Sequence, residues 1–141
     1  MLFNAVPALL SLALAGFAAA APAVAAPATV NCNIVGVHIP GRSPPSPNRV
    51  DIDITFAIHE SLWKLSTWDG RDPEGGVWGD YVTHTVLSDG RLDVKAVGYY
   101  VAEITIEETK AHLESLAGTT LASGNFAAFA VHEIACVIVG A

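Results

Sequence analysis

The sequence is poor in basic residues. Seven Lys and Arg stand against fourteen Asp and Glu, and the formal net charge is −7. Nucleic acids and anionic membranes are bound by clusters of Lys and Arg, so this composition argues against both partners and against a membrane-lytic activity. We therefore predict no nucleic-acid partner and no membrane partner for the mature chain.

The sequence also lacks the short motifs of metal sites and nucleophilic enzymes. Its five histidines show no metal-ligand spacing, and no G-x-S-x-G elbow is present. The acidic residues of the loop near residues 69–80 do not follow the EF-hand pattern, and Asp69-Gly70 and Gly75-Gly76 are typical of turns. We predict no metal, no cofactor and no catalytic residue.

The N-terminal segment has no charged side chain before Arg42. An apolar run over residues 6–17 is followed by Ala-rich A-x-A sequence, the layout of a secretory signal peptide. The stretch between Pro7 and Pro22 is shorter than the roughly 20 residues that a membrane helix needs. We predict a signal peptide over 1–26, with cleavage as early as residue 20, and a single extracellular β domain over 27–141.

Only two cysteines are present, near opposite ends of that domain. Cys32 and Cys136 are separated by 104 residues (136 − 32). In an oxidising compartment they could join the first strand to the last. Alternatively, Cys32 pairs with a second copy of the protein.

Period-2 alternation dominates the rest of the chain. Five apolar residues are in phase over 50–58, which predicts a half-buried strand: Val50, Ile52, Ile54, Phe56 and Ile58. Residues 30–39 also alternate, with a slip beside Gly36 that indicates a β-bulge. Further strands are predicted at 62–68 and 77–87.

The C-terminal half continues this pattern. Asp89-Gly90 predicts a hairpin turn with positive φ, and a second slip around Gly98 indicates a bulge or a bend. The apolar residues 126–141 predict a strand in the centre of the sheet. Thr105 and Glu108 have capping-box spacing, which predicts a short helix over 106–117 that ends at Gly118. The predicted class is mainly β, an antiparallel β-barrel or sandwich of about six strands with one short helix.

Two groups of side chains have spacing of functional interest. Asp51 and Asp53 would project from one face of a strand, roughly 7 Å apart, as in paired carboxylates for glycoside hydrolysis. Trp63 and Trp68 would point to opposite faces of another strand, one into the core. The other, together with Trp78 and Tyr81, would form an exposed aromatic patch suited to binding.

One stretch of about thirty residues carries a resemblance to a known family. It contains Trp-Lys-Leu-Ser at 63–66, Gly-Arg-x-Pro-Glu-Gly at 70–75 and Leu-Asp at 92–93 after a glycine turn. This resembles the Alternaria major-allergen family, secreted fungal proteins also grouped with cell-death-inducing elicitors. The resemblance implies a secreted β-barrel without established enzymatic activity, often a dimer through an N-terminal cysteine, for which Cys32 is suitably placed.

We therefore expect a secreted fungal effector-like or allergen-like protein, with monomer and homodimer as the two open oligomeric states. It would bind a host protein or a small hydrophobic ligand without catalysis. The expected binding residues are Trp68, Trp78 and Tyr81, with Arg71 from the motif. Two other hypotheses stay open: a small secreted carbohydrate-active hydrolase and a structural cell-surface protein.

Overall fold

The computed structural model describes residues 27–40, 49–67, 70, 75–123 and 127–140. The predicted signal peptide therefore lies outside the described residues. Strands account for 47% of the described residues and helices for 26%, which confirms the mainly β class. The elements in chain order are β1 (Thr29–Ile39), α1 (Arg49–Trp63), β2 (Val77–Trp78), β3 (Tyr81–Val86), β4 (Leu92–Val101), α2 (Ile106–Ser115), β5 (Thr120–Ser123) and β6 (Ala127–Val139).

The six strands form one antiparallel sheet that curls into a half-barrel. The strand order is β2-β4-β1-β6-β5, and β3 pairs with β4 beside β2. Both helices pack on the concave face, where α1 contacts β3 near one edge and β5 at the other. The last strand, β6, is predicted correctly as a strand, but it lies second from one edge of the sheet, between β1 and the short β5, and not at its centre.

The core lies between the concave face and the two helices. Side chains of β1 alternate, so Val30 and Ile34 are buried while Asn33 between them is exposed. The predicted irregularity beside Gly36 is present. Its extra residue belongs to the partner strand, because Val35 pairs with Glu133 and Gly36 pairs with Val131.

Cys32 and Cys136 face each other directly across β1 and β6 and form a disulfide within one chain. Both are nearly inaccessible to solvent, at 4% and 7% exposure. The structure therefore selects the intrachain alternative. Cys32 is consumed in this bond and does not supply the intermolecular bridge that the family resemblance implies.

The predicted strand over 50–58 is wrong, because these residues belong to α1. The buried positions are Asp53, Ile54, Ala57, Ile58, Ser61 and Leu62, a helical repeat that runs past the end of the alternating stretch. Two of the in-phase apolar residues, Ile52 and Phe56, are instead exposed. The period-2 alternation of apolar residues therefore does not predict which side chains are buried. The 3.6-residue period of the helix does.

The predicted strand over 62–68 is also wrong within the residues described. Leu62 and Trp63 are the last residues of α1, and Lys64 and Leu65 form the turn that ends it, closed by a bond from Leu65 N to Leu62 O. Trp68 lies outside the described residues. The first part of the family-like motif therefore begins at a helix end in this chain.

The predicted short helix is confirmed as α2. Thr105 accepts a hydrogen bond from the backbone N–H of Glu108, whose carboxylate accepts from the backbone N–H of Thr105. This capping box satisfies donors that a helix start leaves unpaired. Beyond the last helical residue, Gly118 has a φ of 75° and donates to the carbonyl of Val131.

The hairpin turn between β3 and β4 is also confirmed, with one correction. Gly90 has a φ of 84°, whereas no described residue other than glycine has a positive φ. Asp89 therefore does not share that conformation. Its carboxylate instead accepts hydrogen bonds from the backbone N–H and the Nε of Arg91, at 3.1 and 2.7 Å.

Candidate functional site

Two of the predicted binding residues, Trp78 and Tyr81, lie on one end of the convex face. Their neighbours Val77 and Val82 pack into the core, so alternation turns Trp78 and Tyr81 outward. Trp78 is 43% exposed and Tyr81 is 54% exposed. Of the other two predicted residues, Trp68 and Arg71, the structure gives no description.

Strand β4 adds two residues to this surface that the sequence analysis did not include. Tyr100 is directly opposite Trp78, and Val97 is directly opposite Tyr81. The rings of Trp78 and Tyr100 stack, with centroids 6.3 Å apart and planes inclined by 14°. We call Trp78, Tyr81, Val97 and Tyr100 the convex aromatic surface.

A signal for these missed residues was present in the sequence. The turn at Gly90 pairs Val86 with Leu92, and extending that register without a shift pairs Tyr81 with Val97 and Trp78 with Tyr100. The hairpin prediction would therefore have placed Tyr100 beside Trp78, because a turn sets the register of its strands.

The link between β2 and β3 holds the convex aromatic surface in place. A Cβ atom on Gly79 would lie 2.6 Å from the ring of Tyr99, so only glycine allows this approach. The backbone N–H of Asp80 donates to the carbonyl of Val97 at 2.9 Å. This bond continues the backbone hydrogen bonds with β4 through the link between the short strand β2 and β3.

The predicted bulge at Gly98 supports the same region from β4. Its φ is 79°, and a Cβ atom there would collide with the side chain of Asp80. The side chain of Asn31 accepts a hydrogen bond from the Gly98 N–H at 2.9 Å. This extra residue keeps Val97 and Tyr100 on one face despite their odd spacing.

More apolar side chains continue this surface across the sheet. Asn31 of β1 pairs with Val137 of β6, which is 60% exposed, and Thr29 pairs with Val139, which is 45% exposed. These valines share the convex face with the aromatic residues but are separated from them by the polar residues Thr29 and Asn31 of β1. Exposed apolar side chains grouped on one face are typical of interaction sites.

The carboxylates Asp51 and Asp53 do not form the pair that the sequence analysis predicted. On α1 they are separated by roughly 200° around the helix axis, so they cannot flank one bond. Asp53 is 3% exposed and contacts His38 Nε2 at 3.0 Å and Arg49 Nε at 2.8 Å. Asp51 contacts His84 Nδ1 at 2.6 Å.

These carboxylate–imidazole pairs connect α1 to the sheet. His38 belongs to β1 and His84 to β3, so each aspartate joins the first turns of α1 to a different strand. Among the described residues, no three His, Cys, Asp or Glu side chains converge as a metal site would require. The geometry is that of two side-chain hydrogen bonds that hold α1 against the sheet.

Two polar side chains meet where α1 packs against β4. His59 packs edge-on against Tyr99, with ring centroids 5.4 Å apart. Within the described part of the chain His59 Nε2 has no hydrogen-bond partner, and the Tyr99 hydroxyl has only the neighbouring Thr55 side chain. Burial lowers the pKa of the His59 imidazole and raises the pKa of the Tyr99 phenol.

Trp63 was predicted to be in the core if Trp68 were exposed, but it is itself 48% exposed at the end of α1. With Phe56, His59 and Glu60 it lines a groove of about 250 Å³ on the helix. This is a second region with exposed aromatic rings, separate from the convex aromatic surface.

No helix in the described part of the chain has both the length and the apolar character to cross a membrane. No family model, no curated protein and no solved structure matches this chain. A functional hypothesis therefore depends on the geometry of its own surfaces.

Proposed function

We propose that this protein is an extracellular binding protein that contacts another protein through the convex aromatic surface. The observation that carries this proposal is the exposure of Trp78 and Tyr81 beside Tyr100 on paired strands of one sheet. Tryptophan and tyrosine supply much of the binding free energy at protein interfaces. They do so here from neighbouring strands rather than from loops.

The shape of this region favours a protein partner over a small hydrophobic ligand. Small molecules bind in concave sites that bury most of their surface. The convex aromatic surface offers no such enclosure, and two further exposed apolar side chains, Val137 and Val139, lie on the same face beyond β1. A flat or concave face of a partner protein can cover it.

The extracellular setting in this proposal has three supports. The N-terminal segment has the layout of a signal peptide. The buried disulfide is typical of proteins that fold in an oxidising compartment. The resemblance of residues 62–93 to the secreted fungal allergen family agrees with these two observations, and it suggests a host protein as the partner.

The test is recovery of partner proteins from an extracellular host extract by the immobilised protein and its variants. Trp78→Ala should reduce recovery of a specific partner about 30-fold, as expected when a hot-spot residue contributes about 2 kcal/mol. Trp63→Ala is the matched control, because it removes an equally exposed tryptophan from α1. Thermal unfolding of both variants confirms that they are folded.

Two outcomes would contradict the proposal. Equal recovery by the wild type and Trp78→Ala would show that the convex aromatic surface is not the interface. Equal loss in Trp78→Ala and Trp63→Ala would indicate nonspecific aromatic adsorption. A Tyr81→Ala variant adds a second position on the same surface and should weaken the same partner.

A further inference from the structure

Within the described residues, strand β6 has an edge that no strand covers over its C-terminal half. Strand β5 pairs with β6 only as far as Ala130, and Val131 exchanges backbone hydrogen bonds with Gly118 and Thr119 just before β5 begins. From there to Val139, β6 pairs with β1 alone in the part of the chain that the structure describes. An unpaired edge of this kind exposes backbone N–H and C=O groups that can bind another extended strand.

The backbone groups of Cys136 face this edge. Its N–H donates to a carboxylate oxygen of Glu114 on α2 and therefore does not point to β1. The Cα atoms of Cys32 and Cys136 are 4.1 Å apart, which fits a non-hydrogen-bonded pair of an antiparallel ladder, whereas a hydrogen-bonded pair is separated by about 5.5 Å. Because the direction alternates along a strand, the backbone groups of Ile134 and Ile138 face the same edge.

The Glu114 carboxylate lies where the carbonyl of a neighbouring strand would lie. Its bond to the Cys136 N–H, at 3.4 Å, is longer than the usual range of about 2.7–3.2 Å. Its closer partner is Lys110, at 2.7 Å. In the described part of the chain, the N–H groups of Ile134 and Ile138 have no such side-chain acceptor. An added strand would therefore displace one weak bond and form several others.

The side chains along this edge are apolar and exposed on both faces of the sheet. Val137 is 60% exposed and Val139 is 45% exposed on the convex face. Ile138 lies between them on the concave face, paired with Val30, and is 39% exposed. Residues 134–139 contain no charged side chain and no proline, whereas natural edge strands are usually protected by such residues.

We propose that this edge pairs with the same edge of a second copy of the protein, in an antiparallel arrangement centred on Cys136. Ile134 would lie opposite Ile138 of the second copy, and about six backbone hydrogen bonds would join the two sheets into one. Strand addition of this kind is a common mode of protein recognition. It does not need a cysteine bridge, because Cys32 and Cys136 are already bonded to each other.

The edge is complementary to itself in this arrangement, which favours a second copy over an unrelated strand. Ala135 is small and would lie opposite Val137 of the second copy, so neither side chain would be crowded. Glu133, the nearest charged residue along β6, would lie opposite Val139. The two Glu133 carboxylates would be about 20 Å apart along the strands, so they would not face each other.

Sedimentation equilibrium of the secreted protein tests the dimer. The net charge of −7 on each copy opposes association, so we expect a weak dimer with a Kd of roughly 10–100 µM. A non-reducing denaturing gel should show only the monomer. Hydrogen exchange measured by NMR locates the interface: the amides of Ile134, Cys136 and Ile138 should become more protected as the protein concentration rises. Amides of β3, at the opposite side of the sheet, should not change.

Two pairs of variants then test the edge. Glu114→Ala frees the N–H of Cys136 and should lower the Kd of the dimer about five-fold. Glu107→Ala is its matched control, because it removes one exposed carboxylate from the same helix. Val137→Lys places charge on the edge and should raise the Kd at least about ten-fold. Val86→Lys is its control, because Val86 is 68% exposed but lies on β3.

Several results would overturn the inference. A wild type that stays monomeric at several hundred micromolar, about ten times the expected Kd, would exclude the dimer. Equal effects of Glu114→Ala and Glu107→Ala, or of Val137→Lys and Val86→Lys, would show that net charge and not the β6 edge controls association. Protection of the edge amides only after a host extract is added would identify a strand of another protein as the occupant. Trp78→Ala should dimerise like the wild type, which separates this edge from the convex aromatic surface, and unfolding curves show whether each variant is folded.

Discussion

The concave and convex faces of the sheet are built from the same strands but have different surroundings. Val30, Ile34 and Val94 on the concave face are at most 1% exposed, whereas Trp78 and Val137 on the convex face are 43% and 60% exposed. The disulfide, both helices and both carboxylate–imidazole pairs belong to the concave side. Substitutions on the concave side should therefore change the free energy of unfolding, and those on the convex side should change binding.

The largest expected effect is removal of the disulfide. Cys32→Ala with Cys136→Ala should lower the free energy of unfolding by about 4 kcal/mol, because the bond closes a loop of 104 residues in the unfolded chain. Urea denaturation under oxidising and reducing conditions measures the change. The wild type with reductant should resemble the double variant.

This variant also tests the contrast between the faces. If it stays folded at low urea, it should still bind the partner recovered through Trp78, since the convex aromatic surface does not include the cysteines. A difference of less than about 1 kcal/mol between the double variant and the wild type would contradict the importance of the bond.

The two aspartates of α1 provide a comparison within the concave side. Asp53 is 3% exposed and contacts both Arg49 and His38, whereas the Asp51 side chain is 30% exposed. Asp53→Ala should cost about 3 kcal/mol, because it leaves Arg49 and His38 without their carboxylate in a buried setting. Asp51→Ala should cost about 1 kcal/mol or less, as expected for a more exposed pair.

Chemical denaturation of both variants at pH 7 gives the comparison directly. Circular dichroism should show that α1 is retained in Asp51→Ala. Equal destabilisation by the two substitutions would mean that burial does not determine the strength of these pairs.

The two helices show which parts of this fold the sequence could predict. α2 was predictable because its signals are local: a capping box at Thr105 and a glycine just past its end. α1 was mistaken for a strand because Ile52 and Phe56 happen to continue an alternating series, although both are exposed. The buried residues Ala57, Ser61 and Leu62 carried the helical period, and two of them are small or polar and give a weak signal.

The candidate sites also contain some residues that the sequence could predict and some contacts that it could not. Trp78 and Tyr81 were predictable as exposed aromatics, and the hairpin register would have added Tyr100. The contacts of Asp53 with His38 and of Asp51 with His84 were not predictable, because they join residues 15 and 33 positions apart through tertiary packing. Groove residues such as Glu60 became recognisable only once α1 was known to be a helix.

A third prediction concerns two glycines that differ only in their neighbours. Gly98 and Gly90 have φ values of 79° and 84°, so an alanine at either position carries a similar backbone cost of about 1 kcal/mol. A Cβ atom at Gly90 meets nothing within 4 Å, whereas one at Gly98 collides with Asp80. Gly98→Ala should therefore cost about 2 kcal/mol or more.

The same two variants also test whether the bulge in β4 affects partner binding as well as stability. Gly98→Ala should weaken partner binding as well as stability, because the bulge positions Val97 and Tyr100. Gly90→Ala should leave binding unchanged. Equal stability of the two variants would show that the Asp80 side chain moves aside without cost.

The smallest expected effect is a pH dependence that arises on the concave side. Burial lowers the pKa of His59 and of His112. At His112 a hydrogen bond with the Ser61 backbone opposes this decrease and nearby Lys64 adds to it. The unfolded chain therefore binds more protons than the folded chain once the pH falls below about 6.5, the ordinary value for histidine. Stability should be fully present above that pH and should decrease as the pH falls through the lower folded-state values.

Urea midpoints measured from pH 8 to pH 5 should show this decrease before the carboxylates contribute. The pKa values of Glu108 and Glu114 are also lowered, by hydrogen bonds from Thr105 and from Lys110, so their contribution is lost only below about pH 4.5. His59→Phe preserves a ring against Tyr99 but removes a titrating group, so its stability should vary less with pH between 6.5 and 5 than that of the wild type. An unchanged slope in this variant would mean that His59 is protonated as readily in the folded protein as in the unfolded chain.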